Sequence, residues 1–242
     1  MPLPTGVRAL LLDVEGTTTP IAFVYDELFP YARRRLAAAC REAAGRPEIG
    51  AAIERLRAEY DEEAKRGAAE LPPFGDGAAY AGYLMDRDRK STGLKSLQGI
   101  VWEEGYRSGE IRGRFFDDVP PALAAWRRRG VRVRIFSSGS VLAQRLLFAH
   151  SEHGDLTPYL DGFHDTTTGP KLESASYVAI ATACALAPGA ILFLSDVTAE
   201  LDAAASAGLA TGLVRRPGNR PAKPGGHATY RDFAELSSVG RA

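Results

Sequence analysis

The chain has 242 residues, of which 45% are hydrophobic and 25% charged. That is ordinary globular composition, and it excludes a chain disordered throughout. The 30 Lys and Arg balance the 30 Asp and Glu, so zero net charge argues against bulk electrostatic binding to nucleic acid or an anionic membrane.

The first predicted strand is Val7 to Val14, short and apolar, with the polar loop Glu15-Gly16-Thr17-Thr18-Thr19-Pro20 at its carboxyl end. A helical block follows. Asp26 to Ala44 has little Gly or Pro apart from Pro30, and Glu48 to Arg66 places Ile49, Ile53, Leu56 and Tyr60 at helical spacing. Leu71 to Gly75 is a loop, and further helices are expected over Ala78–Asp86 and Leu94–Tyr106. The pattern then changes. Helices at Pro120–Arg129, Val141–His150, Ser174–Ala185 and Thr198–Ala207 alternate with strands at Val131–Phe136, Gly162–Asp165, Ala190–Leu194 and Ala210–Val214. A short helical piece near Tyr230–Leu236 ends the series. Alternating helices and short apolar strands predict a doubly wound parallel α/β sheet. The helical block interrupts it after its first strand. The expected division is a catalytic core of 1–20 and 116–242 and an inserted all-helical cap of 21–115, with hinges near Thr18–Ile21 and Arg114–Asp117. The length suits one large domain or a domain with such an insertion.

The two cysteines, Cys40 and Cys184, lie far apart, so a disulfide framework and a four-ligand zinc site are excluded. No apolar run reaches the roughly 18 residues that span a membrane. The N-terminal run Ala9–Leu12 is too short for a signal segment. A cytoplasmic protein is expected, without nucleic-acid or membrane partners, and a monomer is the default.

Three polar clusters fall at predicted strand carboxyl ends: Asp13-Val14-Glu15-Gly16-Thr17, Ser137-Ser138-Gly139 and Ser195-Asp196. In open α/β sheets that edge is where ligands bind. Asp13, Asp196 and Glu200 offer hard oxygen ligands suited to Mg²⁺. Lys171 and the serine hydroxyls suit a phosphate dianion. A carboxylate can attack phosphorus, and Glu15 could protonate the leaving oxygen and later activate water. Arginine supplies most of the positive charge, so a lysine at 171 suggests a need for a compact cation. Each residue also has a plainer reading: Asp13 as a turn cap, Ser140 as a helix N-cap, Lys171 as a solvated charge, Asp202 as a surface helix charge.

Taken in order, Asp13-Val14-Glu15-Gly16-Thr17, Phe136-Ser137-Ser138, Lys171 and Ser195-Asp196 resemble the four motifs of the haloacid-dehalogenase-like superfamily. Its phosphatases usually carry D-x-D-G-T at the first motif, where this chain has D-V-E-G-T. That departure is similar to the enolase-phosphatase subfamily of methionine salvage, the acireductone synthases. Leu97-Gln98-Gly99, Trp102 to Tyr106, Ser108 to Ile111, Phe136 to Ser140, Thr168 to Lys171 and Arg216 to Asn219 extend the resemblance over nearly the whole chain.

The resemblance implies an Mg²⁺-dependent enzyme with one ion per subunit. Its substrate would be a small phosphorylated diketone, 2,3-diketo-5-methylthiopentyl-1-phosphate, which is enolised and then dephosphorylated. It implies Asp13 as nucleophile and metal ligand, Glu15 as general acid/base and main-chain metal ligand, and Asp196 as a further ligand. Ser137, Ser138 and Lys171 would hold phosphate, and Glu200 would support Lys171 or the metal site. One of Arg89, Lys90 and Lys95 in the cap is a candidate for reaching the anionic substrate. The alternatives are a phosphatase for another small phosphomonoester and a non-catalytic module that binds a phosphorylated metabolite; a dehalogenase would not need this set of Mg²⁺ ligands.

Overall fold

The computed structural model describes residues 3–67, 70–87, 89 and 91–237. Strand β1 (Ala9–Leu12) is followed by a π-helical stretch, Phe23–Leu28, and then by helices α1 (Phe29–Arg41), α2 (Pro47–Lys65), α3 (Ala78–Asp86) and α4 (Thr92–Ser108). Next come α5 (Val119–Arg128), β2 (Arg132–Phe136), α6 (Val141–Ala149), β3 (Gly162–His164), α7 (Ser174–Ala183), β4 (Ile191–Ser195), α8 (Thr198–Ser206) and β5 (Ala210–Val214). A short strand β6 (Ala228–Tyr230) and a last turn of helix α9 (Ala234–Ser237) end the described chain.

The chain divides into two compact units, Met1–Val24 with Arg112–Ala242, and Tyr25–Ile111. These divisions lie inside the expected 20/21 and 115/116. Phe23 and Val24 are buried, and Phe115 packs its ring 4.7 Å from Phe148, so the flanks of the insertion carry core side chains of the sheet unit.

The sheet unit is a single parallel sheet in the order β3-β2-β1-β4-β5-β6. The central strand β1 reads Ala-Leu-Leu-Leu with every residue buried, as a strand covered on both faces must be. Alternation splits those residues between two cores. Ala9 and Leu11 join Phe136, Phe193, Tyr177 and Ile180 in the core under α7 and α8. Leu10 and Leu12 are in register with Val133 and Ile135 on the other face, on the strand against which α5 packs. Trp126 of α5 is fully buried there, its ring 5.3 Å from that of Phe233. Such helix-covered parallel strands form the doubly wound fold. Between β1 and β4 the strand order reverses, and the carboxyl edge opens a crevice at that point.

The helical unit is held by its own core, with Leu36, Ile49, Leu56, Tyr80, Leu97 and Val101 buried. Helices α2 and α4 approach closely because α4 carries Gly93: a Cβ there would lie 2.6 Å from the Leu56 amide nitrogen. The Ser91 hydroxyl caps α4 by accepting from the Leu94 N–H at 2.9 Å. Trp102 anchors the same helix, its indole N–H donating to the Leu28 carbonyl at 3.0 Å.

Three local expectations differ from the structure. The helix expected over Asp26–Ala44 is a π-helical turn that runs directly into α1, and Pro30 sits at the junction, in the first turn of α1. Ala43–Gly45 is 3₁₀ helix rather than α. The piece expected as helix from Tyr230 is instead the end of β6, and helix resumes only at Ala234. Cys40 and Cys184 are both buried free thiols, and among the described residues no helix is long and apolar enough to cross a membrane.

Candidate active site

Asp13 is the first residue after β1, and Ser195-Asp196 closes β4, so both clusters meet at the strand-order reversal. Lys171 reaches them from the loop before α7. Its Nζ donates to Asp13 Oδ1 at 2.6 Å and pairs with Glu200 Oε2 at 2.6 Å. Ser195 Oγ donates to Glu200 Oε2 at 2.9 Å and accepts from the Val197 N–H at 3.1 Å. Glu200 is presented by the first turn of α8. The wall beneath is apolar: Phe136 lies 5.9 Å from the Lys171 ammonium, and Tyr177 donates its hydroxyl to the Lys171 carbonyl at 2.7 Å. These contacts hold the Lys171 backbone and side chain with only 7% of the residue exposed.

The electrostatics follow from one buried ammonium facing several carboxylates. Burial alone pulls Lys171 down, but Asp13 and Glu200 more than reverse this and leave it above its ordinary value. Burial pushes the Asp196 carboxyl up to about 6, and the Asp13 charge adds to that. Glu200 rises to about 7 by burial first and Asp13 second, against the pull of Lys171. The edge therefore holds more negative charge than its lysine balances, a condition that a bound cation relieves.

The loop Glu15–Thr19 turns tightly. The N–H groups of Thr17, Thr18 and Thr19 all converge on the Val14 carbonyl, at 3.2, 2.9 and 2.9 Å. Gly16 has φ +70°, and a Cβ on it would stand 2.3 Å from Asp196 Oδ2, so glycine is required both by conformation and by space. Glu15, on the same loop, is exposed. Ser137 and Ser138 follow the adjacent strand β2. Ser137 is buried, its Oγ accepting from the Gly139 N–H at 3.2 Å, and Ser138 is exposed. The structure thus bonds Asp13, Lys171, Ser195 and Glu200 to one another, sets Asp196 beside them, and stands Glu15, Ser137 and Ser138 on flanking loops. Ser140 is the N-cap of α6, accepting from the Ala143 N–H. Asp202 is exposed and pairs with His227 at 3.0 Å. Arg89 pairs with Glu63 within the helical unit, and Lys90 lies outside the described residues.

Two residues of the loop after β5 belong to this site without having been assigned a part in it from sequence. Asn219 Nδ2 donates to the Gly16 carbonyl at 2.7 Å and to Asp196 Oδ2 at 2.9 Å. Arg216, 6% exposed, donates from Nε to the Thr17 carbonyl at 2.9 Å and pairs with Asp118 at 2.7 Å. The available signal was their place after the carboxyl end of a further strand. A cavity of about 140 Å³ lined by Asp196, Asn219, Arg215 and Arg220, among others, opens beside them.

Among the described residues no three His, Cys, Asp or Glu side chains are grouped as a metal site. Mg²⁺ does not require such a group: it keeps several waters and is commonly held by one or two carboxylates. Asp13 and Asp196, with main-chain carbonyls of the Gly16 turn close by, form a donor set of that kind.

A family profile of haloacid dehalogenase-like hydrolases matches residues 7–208. An enolase-phosphatase E1 of Synechococcus elongatus is 54% identical over 241 residues, covering 98% of this chain and 100% of the relative. One from Pseudomonas aeruginosa (strain UCBPP-PA14) is 46% identical over 234 residues, covering 95% and 98%. Among solved structures, the UTR4 protein of Saccharomyces cerevisiae is 34% identical, with a TM-score of 0.79, covering 95% of this chain and 100% of its own. CbbY of Rhodobacter sphaeroides in complex with phosphate shares the fold, with a TM-score of 0.59 at 16% identity and coverage of 95% and 96%.

Proposed function

We propose a function from one premise: this chain belongs to the enolase-phosphatase E1 family, within the haloacid dehalogenase-like hydrolases. On this reading it is a bifunctional enzyme. It enolises 2,3-diketo-5-methylthiopentyl-1-phosphate and then removes the phosphate, leaving the acireductone of methionine salvage. The observation that carries the phosphatase half is the bonded set of Asp13, Lys171 and Glu200 at the strand-order reversal.

Asp13 is the nucleophile: Oδ1 is held by Lys171, and Oδ2, only weakly engaged by the Ser195 hydroxyl at 3.5 Å, attacks phosphorus, giving an aspartyl-phosphate that water later hydrolyses. Lys171 supplies a compact positive charge against the phosphate oxygens as their charge shifts in the transition state. Glu200 fixes that ammonium, and the Ser195 hydroxyl fixes Glu200. Ser137 and Ser138 contribute hydroxyl and main-chain donors to the phosphate. Glu15 is exposed on the loop beside the nucleophile, and its carboxyl exchanges protons with the leaving oxygen and then with water. Mg²⁺ would be held by the Asp13 and Asp196 carboxylates and the Glu15 carbonyl, and when bound it offsets the repulsion between carboxylate and phosphate dianion. The inserted helical unit is read as a cap domain. The enzyme works as a cytoplasmic monomer.

The test follows phosphate release and enediol absorbance together, with Mg²⁺ and with chelator, for wild type and Asp13→Asn. Wild type should show both signals, and Asp13→Asn should lose phosphate release by at least about a thousandfold while remaining folded. Release from simple phosphomonoesters with no action on the diketone phosphate would sink the assigned substrate. Full activity in Asp13→Asn would sink the assigned nucleophile.

A further inference from the structure

We infer that Asn219 is a positioning residue that sets the Asp196 carboxylate and the Gly16 turn for the metal ion. This inference rests on the magnesium reading above. Three groups meet at one point. Asn219 Nδ2 has two hydrogens and two acceptors within reach, the Gly16 carbonyl at 2.7 Å and Asp196 Oδ2 at 2.9 Å. Both neighbours are acceptors, so the amide nitrogen must be the atom that faces them. Gly16 completes the arrangement, since a Cβ there would stand 2.3 Å from Asp196 Oδ2 and 2.9 Å from Asn219 Nδ2. The amide thus ties the loop after the nucleophile strand to the acid at the end of β4.

The chemistry of the amide suits the task. It is neutral, so it orients Asp196 without competing for the charge that draws a cation. A lysine at 219 would neutralise Asp196, and an aspartate would set one carboxylate against another and lose both donors. The turn that carries Asn219 is itself anchored. The Asn219 N–H donates to the Arg216 carbonyl at 3.3 Å. The Arg216 guanidinium lies between the Phe116 and Phe233 rings, 4.5 and 4.7 Å from their centroids, and holds the Thr17 carbonyl. Two consecutive carbonyls, Gly16 and Thr17, are therefore gripped by two side chains of one short turn. Partners of this kind, which orient a ligand without touching the metal, typically contribute 10–100-fold in metal affinity.

The experiment titrates MgCl₂ into the metal-free full-length chain by calorimetry, for wild type, Asn219→Ala and the similar-sized Asn219→Leu, each checked by its melting curve without metal. Both variants should bind Mg²⁺ about 10–100-fold more weakly than wild type. Phosphate release should fall at low Mg²⁺ and recover at high Mg²⁺, which a merely structural defect would not do. Should the alanine variant fail to fold, the leucine variant decides. Wild-type affinity in the folded variants would overturn the positioning role and leave the magnesium reading standing. A wild-type chain that binds no Mg²⁺ and releases phosphate in chelator would overturn the magnesium reading first, and this inference with it.

Discussion

Glu200 shows how much one carboxyl can report about this site. It is buried against Lys171 and Ser195 and stands at about 7 instead of 4.5. A carboxyl raised on folding binds its proton more tightly in the folded than in the unfolded chain. Its contribution is therefore fully present below about 4.5 and is lost as pH rises toward 7. Asp196, raised from 3.8 to about 6, acts in the same direction over a lower window. Lys171, raised above its ordinary value, keeps its contribution throughout this range and does not change the slope. In chelator, the melting temperature of wild type should thus fall between pH 5 and 7.5, and that of Glu200→Gln should fall less, the difference building up from about pH 4.5 to about 7. An equal slope in the variant would remove Glu200 as the titrating group. Asp13, Ser195 and Asp196 stood out in the sequence as polar residues at strand carboxyl ends, and Lys171 and Glu200 as charged residues in the loop before α7 and the first turn of α8. Asn219 and Arg216 were not assigned a part because they act on main-chain carbonyls, and a loop asparagine that holds a carbonyl looks like any turn asparagine.

At the scale of elements, legibility followed length and periodicity. Helix α3 was readable to its ends, Ala78 and Asp86, and strands β2, β4 and β5 to within a residue, because β4 and β5 are mostly apolar runs, β2 alternates arginine with apolar residues, and turn residues bound each. Strand β6 escaped because three residues at a sheet edge, only Tyr230 of them buried, carry no period. The π-helical turn at Phe23–Leu28 escaped because its spacing differs from an α-helix by one residue per turn, which local composition does not encode. Two glycines within helices test what the elements need from each other. Gly93→Ala sets a Cβ 2.6 Å from the Leu56 nitrogen and 2.7 Å from its Cα, backbone atoms that move only if α2 moves. The expected loss is about 1–3 kcal/mol. Gly82→Ala on α3 meets nothing within 4 Å, and should gain about 0.4–1 kcal/mol from the reduced freedom of the unfolded chain. Denaturant midpoints of the full chain should shift in opposite directions, and a neutral Gly93→Ala would mean that the α2–α4 contact is looser than its geometry.

For the molecule as a whole, the 30:30 balance of charge sets its behaviour in solution as much as it narrows its partners. At neutral pH there is no net charge to keep copies apart, and the remaining long-range force is attraction between oppositely charged surface regions. Arg33 with Asp86, Arg35 with Glu110 and Arg107 with Glu103 are examples of opposite charges interspersed on the exposed surface. Salt screens whichever force dominates, with a Debye length of about 8 Å at 0.15 M. Near pH 7 it should weaken the attraction, so the second virial coefficient measured by light scattering should rise as NaCl goes from 10 to about 150 mM. At pH 5.5 Asp196 and Glu200 are largely neutral, so the chain has lost negative charge and carries a net positive charge. Repulsion then dominates, and the same addition of salt should lower the coefficient. The sign of the salt effect should therefore reverse between the two pH values. A coefficient that falls with salt at both would mean that the surface carries a net charge at neutral pH that the residue count does not predict.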